Sequence, residues 1–291
     1  MIAVYGKNLN PANAPYLQKL FDCLKKYGIK LSVNKDFFHL LREKASLNFE
    51  AETYEYFDAV KDKAEFVFSI GGDGTILECV TFIKDSGTPI VGINFGRLGF
   101  LANIGKDHIE GIVEALNRSN YIIDKRTLIA LECNKPLFVG ANFALNEMTI
   151  QRKDNSSMIT VHTYLNGELL NSYWADGLIV STPTGSTGYS LSCGGPILYP
   201  TSGNFVITPV APHNLNVRPM VVSDDVVLSF EVTGRSNSFL CTLDSRFETI
   251  DSTYQIAIRK ADFQIKLVRL NDMNFLYALK NKLHWGIDQR N

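Results

Sequence analysis

Nothing in this 291-residue sequence is concentrated in the way that betrays a specialised class. The five cysteines (Cys23, Cys79, Cys133, Cys193, Cys241) stand far apart, and no two form a C-x-x-C pair. That argues against a disulfide framework or a thiolate zinc site, and for reduced thiols in a cytosol. Charge of either sign is not in excess: 29 Lys and Arg face 30 Asp and Glu, a net charge of −1. Composition therefore offers no electrostatic grip on nucleic acid or anionic membrane. No apolar run approaches the roughly 20 residues that span a bilayer. Met1–Lys7 has neither the basic start nor the apolar length of a secretory leader. The expectation is a cytoplasmic protein with neither nucleic acid nor membrane as partner. Repeats and low-complexity segments are absent. So are G-x-x-x-x-G-K-[ST], a G-x-G-x-x-G after the first strand, and H-E-x-x-H. The five histidines (His39, His108, His162, His213, His284) show no paired spacing, and no residue is assigned as a metal ligand. What remains is ordinary globular material, 45% hydrophobic and 20% charged, long enough for two domains.

Against that background Ser69-Ile70-Gly71-Gly72-Asp73-Gly74-Thr75 stands out. A short apolar run rich in β-formers, Glu65–Ile70, precedes it, and Ile76–Ile83 follows with apolar residues at helical spacing. Strand, glycine turn and helix make the anatomy of a phosphate-binding loop. Glycines let backbone N–H groups close on an anion, and the helix start favours negative charge there. Asp73 runs against a pure anion cradle, since its carboxylate repels phosphate. It is expected either to take a proton from an attacking hydroxyl or to hold a metal ion between phosphates. The plainer alternative is a turn residue or helix N-cap.

The chain in order reads as follows. Ile2–Tyr5 is a strand. Tyr16–Tyr27 is a helix with Leu17, Leu20, Phe21 and Leu24 on one face and Gly28 as its stop. Ile29–Val33 is a strand and Phe37–Lys44 a helix, whereas Ala45–Lys63 has no clear period and reads as helical or mobile. Thr88–Asn94 is the next strand and His108–Asn117 a further helix. This alternation predicts a parallel sheet with ligand sites at the strand ends. Beyond Asp124 the pattern changes to short β-like runs. They are Leu128–Glu132, Phe143–Gln151, Met158–Tyr164, Gly177–Thr182, Asn204–Thr208, Val226–Val232, Ser238–Leu243, Tyr254–Arg259 and Gln264–Arg269. Asn166-Gly167 between two of them signals a hairpin. Phe275–Leu283 is helical again. The expected fold is an α/β N-terminal domain with a Rossmann-like parallel sheet (1–124, joined by the C-terminal tail 271–291). A β-rich, β-sandwich-like C-terminal domain (125–270) follows it.

A second constellation runs from Asp176 to Pro196, a strand entering a loop packed with hydroxyls and glycines. Such a loop can offer many donors to a polar ligand, and Tyr189 can stack on a ring. A Ser/Thr/Gly surface loop is the plainer reading. Upstream, Asn146-Glu147 closes an apolar run. Asn can bond a base edge and Glu can accept from ribose hydroxyls, although such a pair is more often a solvated strand end. His213, in a polar turn after a strand, reads as structural or as a support behind the site, with catalysis the lesser alternative.

Four of these segments together resemble the NAD kinase family. Gly71-Gly72-Asp73-Gly74-Thr75 is similar to the family's signature loop, and Asn94-Phe95-Gly96-Arg97-Leu98-Gly99-Phe100-Leu101 to its N-x-G-x-L-G-F-L segment. Asn146-Glu147 matches its Asn-Glu pair, and Asp176–Pro196 its long D-G … T-P-T-G-S-T-x-Y … G-G-P stretch. The resemblance runs the length of the chain in the right order. It implies transfer of the ATP γ-phosphoryl group to the 2′-hydroxyl of the adenosine ribose of NAD. Asp73 is then the proton acceptor, Gly71, Gly72, Gly74 and Thr75 face phosphates, and Gly74 and Phe100 also lie against NAD. Asn146 and Glu147 grip the adenosine half. Asp176 holds the nicotinamide half, within one chain or across a subunit contact. Thr187, Gly188, Tyr189, Ser190, Leu191 and Ser192 wrap the dinucleotide, with Ala211 in the wall. The resemblance also implies a divalent ion, magnesium foremost, and a homo-oligomer, dimer or tetramer. Two positions depart from the family pattern: Gly188 where many members have Ala, and Trp174 where bacterial members often have Lys or Arg. The glycine loop alone is also shared with lipid and sphingoid-base kinases, and a non-catalytic dinucleotide sensor is the other alternative.

Overall fold

A computed structural model describes residues 1–45, 47, 49–153 and 157–284. The sequence-expected tail residues 285–291 lie outside the described residues. The chain forms two compact units, Met1–Lys125 with the chain from Ile265 onward, and Arg126–Gln264.

The first unit alternates strand and helix. Its elements are β1 (Ile2–Gly6), α1 (Ala14–Lys26), β2 (Leu31–Asn34), α2 (Lys35–Ala45), β3 (Glu52–Tyr54), β4 (Phe66–Ile70), α3 (Asp73–Ile83), β5 (Ile90–Ile93) and α4 (Ile109–Asn117). The helix α1 buries Leu17, Leu20, Phe21 and Leu24, the face that the 3.6-residue period marks out. The strands lie parallel in the order β3-β2-β1-β4-β5. Val4, Val33, Phe68, Val91 and Ile93 join the helix side chains in one core. Strand order reverses direction between β1 and β4. Ligands of open α/β sheets bind beyond the carboxyl ends of strands at such a switch point. The glycine loop follows β4, so the topology places it there.

The segment 45–63 differs from its expected helical or mobile character. Among its described residues it buries Leu47 and Phe49, adds the edge strand β3 and ends in a short turn of helix at Phe57–Ala59. Three edge residues, two of them exposed, leave no period to read.

The second unit is built of antiparallel sheets. Its strands are β6 (Ile122–Cys133), β7 (Phe143–Ala144), β8 (Glu147–Arg152), β9 (Ile159–Leu165), β10 (Glu168–Ala175) and β11 (Gly177–Ser181). A one-turn helix α5 (Tyr189–Ser192) separates these from β12 (Asn204–Val210), β13 (Met220–Ser223), β14 (Leu228–Thr233), β15 (Phe239–Leu243), β16 (Arg246–Ile250) and β17 (Ile256–Arg269). One sheet runs β13-β12-β11-β8-β15-β16, and β10, β9, β14 and the first half of β17 pair in another. Met148, Ile150, Leu178, Val180, Phe205, Ile207 and Cys241 of the first sheet share a core with Val161, Tyr173, Phe230, Val232 and Ile256 of the second. The two-residue alternation that puts them inside is that of packed sheets. The expected hairpin is present: Leu165 pairs with Glu168 across Asn166 and Gly167, both at positive φ (51° and 85°). The last described element is α6 (Phe275–Leu283).

Two readings are corrected, and three further strands went unread. Tyr254–Arg259 and Gln264–Arg269 belong to one strand, β17, whose polar middle Lys260-Ala261-Asp262 interrupts the apolar signal but not the backbone. Phe143–Gln151 is two strands, broken at Leu145-Asn146. The strands β10, β13 and β16 carry polar or exposed residues at edges and give too weak a pattern to be read.

Candidate active site

In the first unit the site grows from the turn after β4. Gly71 has φ +151°, and a side chain there would run into Thr75, so conformation and space both require glycine. Gly72 caps α3, and Thr75 and Ile76 both donate backbone N–H groups to its carbonyl (3.0 and 3.3 Å). The space around Gly74 is open. A helix start is therefore presented to any anion beyond the loop. Asp73 is the first residue of α3 and not its cap, which sets aside the N-cap reading.

The Asp73 carboxylate reaches across to the turn that follows β5. Its Oδ2 accepts from the N–H of Phe100 (2.9 Å), and its Oδ1 from those of Leu101 (3.1 Å) and Ala102 (2.9 Å). The turn is itself braced. Asn94 Oδ1 accepts from Gly96 N (2.9 Å), Asn94 Nδ2 donates to Arg97 O (2.8 Å), and Gly99 N donates to Ala102 O (2.9 Å). The Phe100 ring lies 6.2 Å from that of Phe275. A carboxylate oxygen has two acceptor positions. Oδ1 has used both, whereas Oδ2 keeps one. Asp73 is thus a fixed anion with one acceptor position left, next to a loop that favours phosphate. Such a group can take a proton from a hydroxyl.

In the second unit Asn146 and Glu147 sit where β7 gives way to β8. Their backbone is held from two sides: Asn146 O accepts from Thr182 N (2.8 Å), and Gly185 packs against the Asn146 backbone. Glu147 Oε2 is buried with no hydrogen-bond partner among the described residues. Burial, aided by the negative charge of Asp244, pushes the Glu147 carboxyl up to about 8. At neutral pH it is then protonated and can donate as well as accept, which suits ribose hydroxyls.

The stretch after β11 differs from an open donor-rich loop. Thr182, Thr184, Gly185, Ser186 and Ser190 are buried. Thr182 Oγ1 donates to Leu145 O (2.6 Å), Ser186 Oγ donates to Pro183 O (2.7 Å) and accepts from Leu198 N (3.0 Å), and Ser190 Oγ pairs with Thr208 Oγ1 (2.8 Å). Many of the hydroxyls hold the turn together. Gly188, Tyr189 and Ser192 are exposed, and Thr187 and Leu191 partly so. The Tyr189 hydroxyl accepts from Gln151 Nε2 (3.1 Å). Asp176 forms an ion pair with Arg152 (3.0 Å), and Ala211 is exposed at positive φ (45°) after β12. Register separates the two predicted grips. Glu147 pairs with Ser181 at one end of the β8–β11 ladder and Gln151 with Gly177, next to Asp176, at the other. Four residues of strand are about 13 Å. The Trp174 ring lies tilted against that of His213 (4.2 Å between ring centres, 39° between planes), and His213 N donates to Trp174 O (2.9 Å).

The structure thus gathers Gly71–Thr75 with Phe100 in the first unit, and Asn146-Glu147 with the Thr182–Ser192 turn in the second. Asp176 and Ala211 lie toward the other end of β11. The sequence reading missed Gly99 and Asp244. Gly99 was visible only as one glycine of a motif. Asp244 has one weak signal, an Asp two residues before Arg246 after an apolar run.

A phosphate loop bearing a fixed carboxylate, on a Rossmann-like sheet at its switch point, defines a nucleotide-dependent phosphotransferase. Residues 2–121 match the model of the ATP-NAD kinase N-terminal domain and residues 145–270 that of the ATP-NAD kinase C-terminal domain. The NAD kinase of Cytophaga hutchinsonii is 49% identical, over 100% of both chains. That of Flavobacterium johnsoniae is 46% identical, over 100% of this chain and 99% of its own. The chain belongs to the ATP-NAD kinase family. Its fold is similar to that of yeast NADH kinase solved with NADH (TM-score 0.88, 18% identity, 99% of this chain and 88% of that one). It is also similar to an NAD kinase from Archaeoglobus fulgidus solved with ATP (TM-score 0.74, 24% identity, 96% and 97%). The lipid-kinase alternative rests on the glycine loop alone, whereas the second matched model covers most of the β-rich unit. No described helix is long and apolar enough to cross a membrane.

Proposed function

We propose that this chain transfers the γ-phosphoryl group of ATP to the 2′-hydroxyl of the adenosine ribose of NAD, with Asp73 as proton acceptor. The observation that carries the role of Asp73 is its three-point anchorage, which leaves only Oδ2 with an acceptor position. The 2′-hydroxyl proton passes to Oδ2 as the ribose oxygen bonds to the γ-phosphorus. The bond from that phosphorus to the ADP oxygen breaks, ADP leaves, and Asp73 returns its proton to water. Gly71, Gly72, Gly74 and Thr75 line the phosphates, with the N–H groups of Gly71 and Thr75 held by Ile93 O and Gly72 O, and Phe100 lies against the ribose side. Asn146 bonds the adenine edge and Glu147 the ribose hydroxyls. Asp176 orients the nicotinamide half, while Thr187–Ser192 and Ala211 flank the dinucleotide. The divalent ion, magnesium foremost, enters with ATP, as part of that substrate, and neutralises charge on its phosphates.

A cytoplasmic homo-oligomer is part of the same proposal. Exposed Leu169, Trp174, Leu215, Met220 and Val221 on the second unit support self-association; cell fractionation tests the compartment. Activity is tested by incubating purified protein with NAD, ATP and magnesium and reading NADP with an NADP-specific dehydrogenase. NADP accumulation is expected. No NADP with any of several divalent ions and phosphoryl donors would turn the reading toward a dinucleotide sensor.

A further inference from the structure

Leu145 and Asn146 lie between β7 and β8, and Glu147 is the first residue of β8, so the N–H groups of this junction need partners from elsewhere. One side chain supplies all three. Asp244 Oδ2 accepts from Leu145 N (2.9 Å), and Oδ1 accepts from Asn146 N (2.7 Å) and Glu147 N (3.2 Å). In return Asp244 N donates to Glu147 O (3.0 Å). Asp244 sits at the tip of the β15–β16 hairpin, where Leu243 pairs with Arg246 across a two-residue turn, at φ +53°. From the same tip the Arg246 guanidinium donates to the carbonyls of Ala141 and Phe143. A carboxylate thus takes the donors of Leu145–Glu147, and a guanidinium takes two carbonyls just upstream, while Thr182 donates to those of Leu145 and Asn146. These bonds use backbone only, so the Asn146 and Glu147 side chains are not spent on them.

We infer that Asp244 is a positioning residue for dinucleotide binding, which sets the Asn146 and Glu147 side chains by holding three consecutive backbone N–H groups, with Arg246 fixing the segment upstream. The inference rests on the reading of Asn146 and Glu147 as the grip on the adenosine half. A carboxylate that accepts three backbone hydrogen bonds is an anion site turned inward, the protein's own side chain filling a nest that elsewhere takes a ligand. Charge-assisted hydrogen bonds are worth more than neutral ones, so losing them displaces the segment.

The test is steady-state kinetics, NAD varied at saturating ATP, on the full chain, Asp244→Asn, Asn146→Ala and the double variant. An amide at position 244 keeps one acceptor oxygen and turns an NH2 group toward a backbone N–H. Asp244→Asn is expected to raise KM for NAD about 10–100-fold, the range set by lost charge-assisted hydrogen bonds, with kcat within a few-fold of native. The double variant is expected to lose less than the product of the two single losses, because part of the loss at Asp244 passes through Asn146 and the remainder through Glu147. A native KM in Asp244→Asn, with a raised KM in Asn146→Ala, overturns the inference and leaves the grip standing. Losses that multiply in the double variant also overturn it. A native KM in Asn146→Ala brings down the grip reading, and the inference with it. Should Asp244→Asn not fold, Asp244→Ser, which retains an acceptor, carries the same comparison.

Discussion

Gly99 is buried beside Asp73, and a Cβ there would occupy the space of the Asp73 carboxylate. The backbone of Gly99 is outside the left-handed region, so Ala is excluded by the approach of the carboxylate and not by strain. Gly99→Ala is expected to displace Asp73 and lower kcat by about 10²-fold or more, the usual consequence of a misplacement near 1 Å, with KM for NAD little changed. A native kcat would show that the three-point anchorage does not matter to turnover. Glu147 gives a second prediction at this scale. Its carboxyl is pushed up to about 8 by burial and by Asp244. The unfolded chain releases the same proton near the ordinary carboxylate range, so the folded state holds more protons in between. This contribution to stability is fully present below about 4.5 and is lost as pH rises through about 8. Urea unfolding at several pH values should show native stability declining across that window, and Glu147→Gln declining less. Equal slopes would place the burial of Glu147 in doubt.

At the scale of elements, turn chemistry and strand pairing decide what can be read. The β9–β10 hairpin turns on Asn166, which holds φ +51° and accepts from Val227 N through Oδ1 (2.9 Å). Asn166→Ala is expected to destabilise by about 1–2 kcal/mol, since Ala tolerates the left-handed region poorly; chemical denaturation measures it, and an unchanged midpoint would mean the turn is loosely specified. This hairpin was legible because Asn-Gly carries its own geometry. The face of α1 was legible because Leu17, Leu20, Phe21 and Leu24 repeat at the helical period. The strands β10 and β16 were not, because one face meets water and Glu168 or Arg246 reads like a loop residue. The strand β17 was cut in two for a similar reason: Arg259 pairs with Glu132 and Asp262, and charge in mid-strand masks an unbroken ladder. The wound turn after β11 shows the limit of reading hydroxyls as ligand donors. Ser190 and Thr208 are 18 residues apart, and only the fold reveals that they satisfy each other.

At the scale of the whole molecule, each unit secures its candidate site with the same device, an aspartate that accepts three consecutive backbone N–H groups. Asp73 holds Phe100–Ala102 in one unit and Asp244 holds Leu145–Glu147 in the other. The first was legible as a charged residue out of place in a glycine loop. The second was not, because its partners lie 97 to 99 residues away. Self-association belongs to this scale too. Light scattering during gel filtration is expected to give a multiple of 32.5 kDa, and a monomer at all concentrations would contradict it. The central claim is that Asp73 accepts the proton of the phosphorylated hydroxyl. Turnover of Asp73→Asn with NAD, ATP and magnesium, beside calorimetric NAD binding, tests it most directly. The account predicts kcat lower by about 10²–10⁴, the usual worth of a positioned base, with NAD affinity near native. A kcat close to native in Asp73→Asn would contradict it.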